Sequence, residues 1–143
     1  MLGFAKKFLD AGKKIKNKDL LEAIAAASVL VSAADGTISR DEIDQLKVSL
    51  AHHPSLSAFS PADVNAIIGR YQSSVEGGFR SAKLQMRKEI GDISDPEQAE
   101  AVFAVALDVA DQGGIDAKEL KVLHEIAGWL GVNPASFDLP AAA

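Results

Sequence analysis

Ala34-Asp35-Gly36-Thr37-Ile38-Ser39-Arg40-Asp41-Glu42 and Ala110-Asp111-Gln112-Gly113-Gly114-Ile115-Asp116-Ala117-Lys118-Glu119 are two versions of one phrase. Each follows an Ala-rich apolar run and precedes an amphipathic one. Each reads as a helix end, an Asp, a glycine turn, an Ile, a helix-capping residue and a Glu. From the Ile onward the register is the same, since Ile38 to Glu42 and Ile115 to Glu119 are both four apart. Before the Ile the second version carries one extra residue, so Asp to Glu spans seven positions in the first and eight in the second. A helix, an acidic turn and a helix, twice, predict two αα-hairpins packed with approximate two-fold symmetry.

Working outward, the apolar run before the first turn predicts a helix from Asp19 to about Ala34, with Leu20, Ile24, Ala27 or Ser28, and Val31 on its inner stripe. Ser39-x-x-Glu42 is a capping box that opens the next helix, whose core positions are Ile43, Leu46 and Leu50. His52 and His53 stand at its end, where they suit the helix dipole better than they suit a metal. Ser60-Pro61 starts a helix with Val64, Ile67, Ile68, Tyr71 and Val75 on one face, and Gly77-Gly78 breaks it. Phe79, Ala82, Met86, Ile90 and Ile93 mark a further helix, with Arg80, Lys83, Arg87 and Lys88 around it as a solvated face. Asp95-Pro96 caps the helix that leads into the second turn. Asp116-x-x-Glu119 then opens the last long helix, with Leu123, Ile126, Ala127 and Leu130 inside and Gly131 as its C-cap. Trp129 reads as core, and Phe137 or Leu139 as folding back on the bundle. No alternating or β-branched run predicts a strand. The expectation is an all-α fold of about seven helices in all, the first a basic amphipathic helix within residues 1–18 and the others forming a helical domain over residues 19–143.

That first segment holds six lysines (Lys6, Lys7, Lys13, Lys14, Lys16, Lys18) against one Asp, while the whole chain carries a net charge of −5. The body is therefore strongly acidic, which argues against nucleic-acid binding. The basic helix suits two roles: packing on the body with its lysine stems over apolar surface, or lying on an anionic membrane surface. A hydrophobic fraction of 48% over 143 residues is enough for one globular core. There are no cysteines, so thiolate metal sites, thiol nucleophiles and disulfides are all excluded. No apolar run reaches the roughly 20 residues of a membrane span, and the first residues lack a signal-peptide core. The expected location is the cytoplasm.

If the hairpins pack symmetrically, Asp35 and Glu42 face Asp111 and Glu119, with Asp41 and Asp116 nearby. Clustered carboxylates repel, and a bound cation or raised pKa values relieve them. An all-oxygen set selects hard cations, Ca²⁺ or Mg²⁺. Capping accounts for part of this acidity: Glu42 and Glu119 complete capping boxes, Asp41 sits where a helix dipole favours it, and Asp before Gly is common in turns. Neither turn is an EF-hand, because the twelfth position from Asp35 is Leu46 and the third from Asp111 is Gly113. Catalytic patterns are missing as well. His124-Glu125 has Gly128 where a zinc protease motif needs a second His, and neither a phosphate loop nor Gly-x-Ser-x-Gly is present.

The repeated Ala-Asp-Gly-x-Ile-Ser-x-x-Glu and Ala-Asp-x-Gly-x-Ile-Asp-x-x-Glu, closed by Leu123-x-x-Ile126-Ala127-x-x-Leu130-Gly131, resembles the TerB family of bacterial tellurite-resistance proteins. Gly131-Val132-Asn133-Pro134-Ala135-x-Phe137 and the basic N-terminal helix resemble it too, so the likeness covers nearly the whole chain. It implies a helical bundle with internal pseudo-symmetry and no enzymatic activity. It also implies a role in tellurite and stress resistance alongside other Ter proteins, at the inner face of the membrane. The family's proposed metal site maps onto Asp35, Glu42, Asp111 and Glu119, with Asp41 and Asp116 as metal or capping residues. The extra residue between Asp111 and Ile115 departs from the family's Asp-Gly-x-Ile spacing. A metal-free interaction domain whose acidic end docks a basic partner is the alternative.

Overall fold

A computed structural model of the chain describes residues 14–142. Within them lie six α-helices: α1 (Lys18–Ser32), α2 (Arg40–Ala51), α3 (Pro61–Gly77), α4 (Phe79–Gly91), α5 (Pro96–Gln112) and α6 (Ala117–Leu130). Short 3-10 turns at Pro54–Leu56 and Pro134–Phe137 complete the regular structure, and the described residues contain no strand. The all-α expectation holds. The predicted N-terminal helix falls mostly on residues 2–13, which lie outside the described residues. Its last positions, 14–16, are not helical. Ile15 is buried and its N–H donates to the Ser55 carbonyl at 2.8 Å, which ties this strand of backbone to the 3-10 turn. Asn17 then caps α1 by accepting from the Asp19 N–H at 2.8 Å.

Helix α1 is the axis of the fold. Eleven of its fifteen residues are buried, so it has neighbours on every side rather than along one stripe. Its alanines make this possible, because a methyl side chain lets several helices approach one backbone closely. It packs most extensively on α5, also on α3 and α4, and reaches both α2 and α6. Helix α5, with its own run of buried Ala, Val and Leu, returns the contact and also touches α2. Each hairpin, α1–α2 and α5–α6, thus reaches across to the second helix of the other, as a two-fold relation requires. Helices α3 and α4 close the remaining side, α3 against α2 and α4 against α6.

The ends of the helices follow their sequence signals. Ser60 and Asp95 accept from the backbone N–H three residues on, and each is followed by Pro. Gly131 adopts φ 71° at the C-terminus of α6, and the Val132 N–H closes the turn on the Ala127 carbonyl at 2.9 Å. Beyond it, Phe137 and Leu139 both fold back into the core, and the Phe137 ring meets Phe103 edge-on with centroids 4.9 Å apart. Trp129 is half-buried rather than fully enclosed, with the Arg87 guanidinium 5.7 Å from its ring centre.

Candidate functional site

Both predicted capping boxes form. Ser39 Oγ accepts from the Glu42 N–H at 3.1 Å, and Glu42 Oε1 accepts from the Ser39 N–H at 2.9 Å. Asp116 Oδ1 accepts from the Glu119 N–H at 2.8 Å, and Glu119 Oε1 accepts from the Asp116 N–H at 3.0 Å. Two exposed backbone donors are satisfied at each helix start, and the boxes fix where both Glu side chains point. Asp35 is held in another way. Its Oδ1 accepts from the Thr37 N–H at 3.1 Å and from Thr37 Oγ1 at 3.2 Å, around Gly36 at φ 92°.

The two turns meet at one end of the bundle. Asp35, Glu42, Asp116 and Glu119 line a single hollow of about 420 Å³, together with Lys118. The electrostatics record the approach. Thr37 holds the Asp35 carboxyl below the usual carboxylate range, and the Lys118 ammonium, from the other hairpin, pulls the same way. Burial pushes the Glu119 carboxyl up, and the charges of Asp116 and Glu42 push it further. Each of the four carboxylates commits one oxygen to a backbone N–H, which leaves the second oxygen uncommitted to these bonds. Among the described residues, however, no three His, Asp or Glu side chains gather closely enough to enclose an ion.

Asp111 stands apart. It lines a different hollow, with Leu107, Ile115, Leu120, Phe137 and Leu139. The cause is the length of α5. Helix α1 ends at Ser32 and leaves six residues before the Ser39 cap, whereas α5 continues to Gln112 and leaves three before Asp116. Asp111 is therefore still helical and projects from the face of α5 that carries Leu107, one turn earlier. Its carboxyl is pushed up by burial and then by the charge of Asp108. Counted back from the Ile, the position of Asp35 is taken in the second hairpin by Gln112, which faces the same end of the molecule as Glu42 and Glu119. Asp41 is exposed on the first turn of α2 and does not line the hollow. Lys14, Lys16 and Lys18 are exposed, while Lys6, Lys7 and Lys13 lie outside the described residues.

Behind the hollow, a second cleft of about 250 Å³ runs between α1, α2 and α5. Glu42 and Glu119 stand at its mouth, and Ser28, Gln45, Ser49 and Gln112 add neutral polar groups along it. Ser28 falls on the inner stripe that the spacing of the first helix allows for it, whereas Gln112, a Gln at a helix end, carries no spacing signal. The role of His53 is not signalled by the sequence either, which groups it with His52 at the helix end. His52 caps α2 as expected, its Nδ1 lying 2.9 Å from the Val48 carbonyl. His53 is buried, accepts at Nδ1 from the Ser55 N–H at 3.1 Å, and places Nε2 2.8 Å from Asp108 Oδ2. It joins the connection after α2 to α5.

The family model described as tellurite resistance protein TerB matches residues 21–141. No curated protein and no solved structure matches the chain at a significant level.

Proposed function

The chain belongs to the TerB family of tellurite resistance proteins, and from that premise we propose that it is a non-enzymatic module that senses or carries a divalent cation at the end where its two acidic turns meet. The observation that carries the reading is the convergence of Glu42 and Glu119, one from each hairpin, on one hollow. A hard cation suits donors that are all carboxylate oxygen. Glu42 and Glu119 would hold it, with Asp35 and Asp116 at the rim, and water would complete its shell, as Mg²⁺ in particular prefers. The cation would neutralise the charges that push Glu119 up. Asp111 is not part of this set.

In the cell the module is a component of a Ter-protein assembly in the stress response, near the inner face of the membrane. No helix among the described residues is long and apolar enough to cross a membrane, so contact with lipid falls to the lysines of the N-terminal segment. The second reading, a metal-free domain whose acidic end docks a basic protein directly, gains from the absence of any three converging carboxylates among the described residues. Calorimetric titration with Ca²⁺ and Mg²⁺ separates the two. The cation reading predicts saturable binding that is lost in E42Q/E119Q, where the Gln side chains keep both capping boxes. Heats no larger than dilution up to millimolar metal would leave the metal-free reading.

A further inference from the structure

The cleft between α1, α2 and α5 has an end that the acidic turns do not explain. Ser28 is only 3% exposed, yet its hydroxyl makes no hydrogen bond among the described residues. A helical Ser ordinarily satisfies itself on the carbonyl one turn back, and buried hydroxyls without any partner are uncommon. Ser28 shares one face of α1 with Val31 and Ser32, three and four positions on, and all three line the cleft. The walls beyond are Leu46 from α2 and Ala106 and Val109 from α5. Among the described residues no Lys or Arg lines it, and its charged groups are Glu42 and Glu119 at the mouth.

We propose that this cleft binds a short aliphatic amine with a hydroxyl at its far end, an amino alcohol. The ammonium lies against Glu42 and Glu119, the methylenes lie on Val31, Leu46 and Val109, and the hydroxyl reaches Ser28 Oγ. Length and charge select the ligand. Ser28 lies four helical positions, roughly 6 Å, along the axis from the level of Ser32 at the mouth, and a four-carbon chain spans such a distance. A second ammonium at the Ser28 end would be a buried charge with no carboxylate beside it, which disfavours a diamine. The ligand shares Glu42 and Glu119 with the cation reading but needs neither Asp35 nor a metal, and the cation needs no group at Ser28.

The test is a methyl and amide NMR titration of the full chain with aminobutanol in the presence of EDTA, with butylamine as the ligand lacking the hydroxyl. The expected result is saturable shifts of the Val31, Leu46 and Val109 methyls, with aminobutanol binding roughly tenfold more tightly than butylamine, the scale of one net hydrogen bond. In S28A, whose helix is already rich in Ala, that preference disappears while binding of Ca²⁺ is unchanged. Equal affinities for the two amines in the natural chain, or shifts that rise linearly without saturation, overturn the proposal. Absence of Ca²⁺ binding by the natural chain counts against the cation reading and leaves this one standing.

Discussion

Single carboxylates in this protein do opposite work, and their surroundings decide which. Asp35 is ionised more readily than a free Asp because Thr37 donates to it, whereas Asp111 and Glu119 are ionised less readily because burial withdraws solvent from them. For Asp111 the sign runs against stability. Its folded pKa lies above the unfolded value of 3.8, so between the two values the native state binds more protons and stability falls as pH rises through that window. Asp111→Asn should therefore raise the denaturant midpoint at pH 7, by a few tenths of a kcal/mol given its exposure, and lose that gain below pH 3. Equal midpoints at pH 7 in matched urea titrations would show that neither burial nor Asp108 disfavours the charge at this position. At Glu119 the cap and the charge can be separated. Glu119→Gln keeps the capping geometry and removes the repulsion from Glu42, while Glu119→Ala loses the cap and should cost about 1 kcal/mol. The residue scale was also the least legible in the sequence. The extra residue before Ile115 already sets Asp111 apart from Asp35 there, but the sequence does not show that the longer α5 sends it to a different hollow.

The elements themselves were plain to read. Ser39, Ser60, Asp95 and Asp116 each open a helix because each presents an oxygen to a free N–H, and Pro61 and Pro96 tolerate the first turn. The ends were harder. Helix α5 runs to Gln112, directly before Gly113, but nothing local told α1 to stop at Ser32, four residues short of Gly36. The packing of Phe137 was open between two residues, and both turned out buried because the 3-10 turn after Asn133 brings the chain back over Phe103. That return is a strong prediction at the level of the element. Phe137→Ala removes a buried ring from an edge-on pair and should cost about 3 kcal/mol in equilibrium unfolding. A loss below about 1 kcal/mol would mean that the C-terminal turn contributes little to the core.

At the scale of the whole molecule, the repeat was the informative signal. Two copies of one phrase predicted two hairpins, and the hairpins predicted a shared end, because α1 and α5 lie together in the middle of the bundle. If Lys6, Lys7 and Lys13 touch anionic lipid, K6A/K7A/K13A should reduce sedimentation with phosphatidylserine vesicles at low salt, and the difference should shrink as salt screens it. Equal sedimentation of both proteins at low salt would remove lipid contact from the account.

The cation reading rests on the two acidic turns forming one site. A Ca²⁺ titration of the isotope-labelled chain can follow the backbone amides of Thr37 and Ile38 in the first turn and of Ile115 and Asp116 in the second. If one ion bridges the turns, both groups shift together and fit one dissociation constant. Shifts confined to one turn, or two groups fitting different constants, would contradict it.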